Sequence, residues 1–316
     1  MQLGFLKYSP VKKKRLYFYT AYGYVIQSEI ELPGFIRIAE STPDFSITLD
    51  TSRFGACRYQ LKQKIIIHFS AANFRIEWPG VATFDVRKNG EVIFRPVLPL
   101  CQGFLALQPF YGIVLAALLH QKNHFILHGS TVEINGSALT VVGMKGRGKS
   151  TLTGSLIANN CNLIADDVTA LAEDGDNPVQ VLPGIPRIKL WPDAVRAVGG
   201  NPEDMPLVAP SIPKHIFTVP DNQFQLRKMP LKNIVMLDHG EDVDMKEMTL
   251  AEKMTWLAGG QYFARFHQQF PPEIRRQWFL SCSRLARKVN IIRATFPRNL
   301  ERLPEMTDKC LAIVDS

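Results

Sequence analysis

Residues Gly143-Met144-Lys145-Gly146-Arg147-Gly148-Lys149-Ser150 fit the pattern G-x-x-x-x-G-K-[ST] and follow directly on an apolar run, Ala138-Leu139-Thr140-Val141-Val142. The order strand, glycine-rich turn, helix commits this stretch to an α/β arrangement, because it aims several backbone N–H groups and the positive end of a helix at one anionic group. The helix is expected over Thr151 to Ala158, where Leu152, Leu156 and Ile157 fall near one face before Asn159-Asn160 ends it. A glycine turn can match so short a pattern by chance; the strand before it and the helix after it point to a phosphate site. Gly143, Gly146, Gly148, Lys149, Ser150 and Thr151 are then expected to hold a nucleoside triphosphate, Lys149 supplying a full charge and Ser150 a hydroxyl for magnesium.

At 316 residues the chain has room for one large domain or two ordinary ones, and two are expected. A hydrophobic share of 46% and a charged share of 21% exclude a disordered or fibrous chain. The net charge of +8 suits nucleotide phosphates, acidic peptide or nucleic acid without choosing among them. Lys12-Lys13-Lys14-Arg15 comes with no base-stacking motif or zinc-finger spacing, so no nucleic-acid partner is expected. The Leu16-Tyr17-Phe18-Tyr19 run after it is too tyrosine-rich for a secretory signal and reads as a strand. Gly103 to His120 is barely long enough to cross a bilayer and is interrupted by Gln108-Pro109, so it reads as a buried helix and no membrane partner is expected. The scattered cysteines Cys57, Cys101, Cys161, Cys282 and Cys310 contain no C-x-x-C pair, which argues against a disulfide framework or zinc site and for a cytoplasmic location.

Strands are expected over Phe18 to Gln27, Asp44 to Leu49, Lys64 to Phe69, Phe74 to Trp78, Thr83 to Val86 and Val92 to Phe94. Turns at Pro79-Gly80 and Asn89-Gly90 join the last three into an antiparallel meander. This gives a β-rich amino-terminal domain over residues 1–100 and a second domain over 101–316. In the second, strands at Phe125 to Leu127, Val132 to Ile134 and Leu139 to Val142 surround the glycine loop, with Asn135-Gly136 as a hairpin turn. Thr249-Leu250-Ala251-Glu252 has the form of a capping box opening a helix toward Leu257, Pro272 to Lys288 reads as another helix, and Asn290-Ile291-Ile292 as a strand. The proline-rich segment Pro202 to Pro220 reads as an irregular surface loop.

Asn162-Leu163-Ile164-Ala165 reads as a short strand ending in Asp166-Asp167. Magnesium takes one or two carboxylates alongside phosphate oxygens, so one acid can serve the metal while the other accepts a hydroxyl proton. Adjacent acids at a strand end are also common as a helix cap or solvated turn. Here the first acid lies 166 − 149 = 17 positions after Lys149, and His128 lies 149 − 128 = 21 positions before it.

At these separations His128-Gly129, the glycine loop and Ala165-Asp166-Asp167 resemble the catalytic domain of HPr kinase/phosphorylase, over about residues 124 to 191. The resemblance implies an α/β fold, with an HPr-kinase-like P-loop catalytic domain joined to the β-rich amino-terminal domain, and the use of ATP and magnesium. It implies that Lys149 and Ser150 hold phosphates and metal, that Asp166 takes the proton of a target serine, that Asp167 assists the metal and that His128 influences proton movement. The competing account of His128 is a strand-end histidine satisfied by a backbone group. Members of that family assemble as oligomers, which makes a homo-oligomer a further expectation.

The chain also departs from that family: Pro183-Gly184-Ile185-Pro186-Arg187-Ile188-Lys189-Leu190-Trp191-Pro192 lacks its glutamate-arginine-glycine signature, and the first hundred residues do not suggest its usual amino-terminal domain. HPr as substrate and phosphorolysis are therefore disfavoured. With Ser28-Glu29-Ile30-Glu31-Leu32-Pro33 and Leu127-His128-Gly129-Ser130, these departures resemble the HPr-kinase-like proteins of lasso peptide and related ribosomal peptide biosynthesis. That resemblance implies a kinase acting on a serine hydroxyl of a precursor peptide. Arg187 and Lys189 are candidates for meeting an incoming acidic or phosphorylated group, Arg187 being the one carried as a substrate-binding residue. Arg187 and Lys189 equally fit the outward face of a strand whose inward residues are Ile188 and Leu190, and Trp191 reads as packing. A nucleotide-binding scaffold of a biosynthetic complex and a kinase for a small hydroxylated metabolite are the rival classes.

Overall fold

The computed structural model describes residues 15–52, 64–70, 72–97, 103–209 and 212–315, a mixed α/β protein. Lys12 to Lys14, Cys57, Cys101 and Gln102 lie outside the described residues; Cys161, Cys282 and Cys310 are buried free thiols.

Among the described residues eight strands form the amino-terminal sheet, in the spatial order Ile36–Arg37, Tyr17–Ala21, Tyr24–Ser28, Phe45–Leu49, Glu91–Pro96, Ala82–Val86, Asn73–Trp78, Ile66–Ser70. The strand expected over Phe18 to Gln27 is instead a hairpin. Tyr22 and Gly23 both take positive φ, 57° and 76°, the backbone that lets a two-residue turn match the twist of its strands. The meander is antiparallel from Ile66 to Pro96, but Glu91–Pro96 then pairs parallel with Phe45–Leu49, and Phe45–Leu49 parallel with Tyr24–Ser28. Parallel neighbours need connections of a dozen or more residues, which the chain provides on both sides of Phe45–Leu49.

The helix expected up to His120 is broken into Gly103–Leu107, a single wider turn Phe110–Val114, and Leu115–Gln121. Pro109 lacks an N–H for the ladder, and the Val114 N–H bonds five residues back to the Pro109 carbonyl, 3.0 Å. The segment is buried as expected, and among the described residues no helix is long and apolar enough to cross a membrane. Leu105 to Leu119 share one hydrophobic cluster with Tyr19, Phe74, Phe84 and Phe94 of the amino-terminal sheet and with Val168, Leu182 and Phe263 beyond it.

In the second sheet the strand Ser137–Gly143 lies between Gly129–Ile134, antiparallel, and Met229–His239, parallel; Asn290–Phe296 continues the parallel set. Asn162–Ala165 pairs antiparallel with the far side of Gly129–Ile134. It therefore runs in the direction of Ser137–Gly143, and both strands deliver their carboxyl ends to one edge, two strand spacings or about 10 Å apart. Asn135 and Gly136 make the expected hairpin turn, with φ of 48° and 79°. The helices Leu250–Gly260, with its Thr249–Glu252 capping box, and Pro272–Lys288 form as the sequence indicates.

The segment Pro202 to Pro220 is not an irregular loop. Ile212–Thr218 pairs antiparallel with Arg187–Leu190 on one side and with Leu207–Ala209 on the other, in a three-stranded sheet. Its prolines suggested a loop, yet Pro213 is exposed and the alternation Lys214, Ile216, Thr218 against His215, Phe217 carries the pairing.

Candidate functional site

The glycine loop closes the carboxyl end of Ser137–Gly143 and opens the helix Lys149–Ala158. Gly148 takes the position before the helix in a left-handed conformation, φ 87°, which a side chain would strain. Gly143, at φ 150°, has the Leu237 carbonyl of the next strand 2.7 Å from where a Cβ would stand. Ser150 and Thr151 occupy the first helical turn, whose free N–H groups favour an anion. The Lys149 ammonium folds back onto the loop, donating to the Gly143 carbonyl at 2.9 Å and to the Met144 carbonyl at 3.4 Å. Burial pushes its pKa down, while Asp167 and Asp166 oppose the shift.

The two acids stand at the same sheet edge, in different settings. Asp166 is enclosed: the Ser130 hydroxyl donates to its Oδ1, and the Lys189 backbone N–H donates to its Oδ2 at 3.1 Å. Burial, and then the neighbouring Asp167 charge, raise its pKa. Asp167 has φ 66° and forms an ion pair with the Lys189 ammonium. Burial works against its charge, but Lys189, His128 and Lys214 outweigh it and hold the carboxyl well below the usual range. The pair is thus split, Asp166 shifted toward its protonated form and Asp167 toward its anion, as coupled carboxylates with distinct functions are.

His128 follows the strand Phe125–Leu127, and its Nδ1 lies 3.1 Å from the Asp167 carbonyl. A carbonyl only accepts, so Nδ1 carries the proton and Nε2 keeps a lone pair. The side chain remains exposed, yet partial desolvation lowers its pKa, with Lys149 and Lys189 adding repulsion and Asp167 opposing. The backbone bond foreseen for a strand-end histidine is therefore made to the turn that carries the acids.

Arg187 lies on the cleft side of its strand, 6% exposed, its guanidinium carbon 3.5 Å from the centre of the Tyr111 ring. Burial lowers its pKa, while Tyr111, Asp167 and Asp166 favour its charge. Ile188 and Leu190 face the core beside the helix Lys149–Ala158, as the alternation indicated. The opposite face is not simply solvated: Arg187 and Lys189 look onto the acids. Tyr22, at the tip of the first hairpin, reaches the same turn. Its hydroxyl donates to the Val168 carbonyl at 2.8 Å, and its N–H to the Pro183 carbonyl at 2.6 Å.

On the other flank, Asp238, next to last in the strand Met229–His239 beside the loop, pairs with Arg147 at 3.5 Å and Arg293 at 3.0 Å. A cavity of about 1200 Å³ runs past the loop, with His128, Lys145, Arg147, Asp238, Trp256 and Tyr262 in its lining. Sequence reasoning missed Ser130, Lys214 and Asp238 as contributors, and Lys189, weighed as a contact for an anionic group, as the partner of Asp167. For Asp238 a signal was present, the apolar run Ile234-Val235-Met236-Leu237 ending in an acid.

Magnesium fits this donor set. Among the described residues no group of three or more His, Cys, Asp or Glu side chains surrounds a metal position. Magnesium does not require one where phosphate oxygens and water complete its shell, and Asp167 supplies a charged carboxylate.

Lys189→Met is expected to lower stability by about 2 kcal/mol at neutral pH, below the loss for a fully buried pair because Lys189 and Asp167 are 18% and 24% exposed. Asp167 titrates below its unfolded value, so the pair stabilises the fold above that value and the loss shrinks as pH falls through the acid range. Denaturant melts of the single variants and of Lys189→Met/Asp167→Asn check this, the double variant being expected to lose less than the two singles combined.

No family model and no curated protein matches the chain. Among solved structures, that of the Hpr(Ser) kinase/phosphatase from Coxiella burnetii is similar over 60% of this chain and 99% of its own, with 15% sequence identity and a TM-score of 0.33.

Proposed function

We propose that this chain is an ATP- and magnesium-dependent kinase of the HPr-kinase-like type that phosphorylates a serine hydroxyl on a peptide or protein, with a lasso-type ribosomal precursor peptide as acceptor. The observation that carries the reading is the split acid pair at the same sheet edge as the glycine loop and Lys149. In this reading the loop N–H groups and Lys149 hold the β- and γ-phosphates, and Asp166 accepts the serine proton as the hydroxyl oxygen bonds to the γ-phosphorus. The bond from that phosphorus to the bridging oxygen breaks, and ADP leaves with the electron pair. Asp167 and Ser150 would hold magnesium, which neutralises phosphate charge. His128 Nε2 is a second proton acceptor beside Asp166, and Arg187 receives an anionic group of the substrate. Residues 1–100 then act as the module that presents the peptide to a catalytic domain over 101–316.

The test is transfer from γ-labelled ATP to a panel of serine peptides and to free serine. Labelled peptide, lost in Asp166→Asn and retained in the remote surface variant Lys246→Met, is the expected result. Label on free serine alone makes the chain a small-molecule kinase. Tight ATP binding with no transfer to either makes it a nucleotide-binding scaffold.

A further inference from the structure

We propose that Lys214 reads the terminal phosphate of the nucleotide: its ammonium closes on the γ-phosphoryl group from the side opposite the glycine loop and makes the site prefer a triphosphate to a diphosphate. Resting on the kinase reading above, this adds a residue to that site which no motif marks.

The register places it there. Arg187 pairs with Thr218, Lys189 with Ile216 and Leu190 with His215, so the next step sets Trp191 across from Lys214. Paired residues of antiparallel strands share a face, and that face alternates along each strand. Arg187, Lys189, Trp191 and Lys214 therefore belong to one side of the three-stranded sheet, the side turned to the acids. The other side, with Ile188, Leu190 and Phe217, packs in the core.

The three cations of this face are engaged differently. Lys189 is taken by Asp167, and Arg187 is stacked on Tyr111. Lys214 is partly buried and, among the described residues, has no carboxylate within ion-pair distance; its ammonium stands 5.3 Å from the centre of the Trp191 ring. Its charged surroundings are Asp167 and Asp166, which attract it, and Lys189 and Lys145, which repel it.

An ammonium withdrawn from water without a counter-ion is costly, and an aromatic face is only a weak substitute for an anion. Its neighbours fix which anion completes the arrangement. Lys214 shares its sheet face with Lys189, which is ion-paired to Asp167, the acid assigned to metal, so Lys214 stands on the metal side of the cleft. The loop amides and Lys149 hold the β-phosphate and one side of the γ-phosphate, which leaves the other side of the transferred group to a cation across the cleft.

Calorimetric titration of AMP-PNP and of ADP, each with magnesium, into the full chain and its Lys214→Met, Lys214→Gln and Lys214→Arg variants tests this. The wild type is expected to bind AMP-PNP more tightly than ADP. Both neutral variants are expected to lose on the order of tenfold in AMP-PNP affinity while ADP affinity is unchanged, and the arginine variant to keep the preference. Using two neutral replacements prevents a packing defect of either from deciding the result. Equal losses for both nucleotides, or an unchanged ratio, overturn the assignment while leaving the kinase reading intact. A wild type that binds neither nucleotide overturns both.

Discussion

Asp166→Asn is expected to cut phosphoryl transfer by on the order of 10³-fold or more and, at the same time, to raise the melting temperature by a few degrees at neutral pH. The first effect follows from removing the proton acceptor. The second follows from its surroundings. An asparagine keeps the enclosed network whole, because its carbonyl can accept the Lys189 N–H while its amide donates to the Ser130 oxygen, whose hydroxyl turns away. What disappears is a half-buried charge beside a second carboxylate, a substitution that exchanges activity for stability. The sign with pH is fixed. Asp166 has a higher pKa folded than unfolded, so its contribution is most favourable below the unfolded value and is lost as pH rises through the folded one. The stability gain of the asparagine variant is therefore largest near pH 7 and fades on acidification. Thermal melts at pH 7 and pH 4 beside a transfer assay measure both effects; an asparagine variant less stable than wild type at pH 7 contradicts the assigned environment.

Lys149→Met is expected to lower kcat/KM by about 10²- to 10³-fold and to weaken ATP binding while leaving the fold intact. The Lys149 ammonium bonds only to the Gly143 and Met144 carbonyls in the described structure, so no buried carboxylate is stranded when it goes. A melting temperature close to that of wild type, with calorimetric loss of ATP binding, is the expected pair of results. Retained ATP affinity would remove the glycine loop from the phosphate site.

The contiguous parts of the site were legible because their chemistry is local. A strand, a glycine turn, a lysine and a helix occupy one unbroken stretch, and the Asn135-Gly136 turn and the Thr249 capping box signal through neighbours three or four residues away. Lys189 and Lys214 were not legible as partners of the acids. Period-2 alternation tells which residues share a face, but only tertiary pairing tells what that face meets. The density of proline in 202–220 hid a strand pair that the polar and apolar alternation would have allowed. Tyr22-Gly23 lacked the asparagine that usually announces a tight turn, so a hairpin passed for one long strand. Met229–His239, the longest strand of the second sheet, went unassigned, and with it Asp238.

Because Tyr22 bonds to Val168 and Pro183, the first hairpin braces the backbone on either side of the acid turn's exit. The same aromatic cluster runs from that hairpin through the broken helix to Phe263. A fragment beginning after residue 100 would lose this brace along with the amino-terminal side chains that cover Leu105 to Leu119, so its inactivity would say nothing about substrate delivery. Tyr22→Phe, which deletes a single hydroxyl and spares the packing, separates scaffolding from recognition where truncation confounds them.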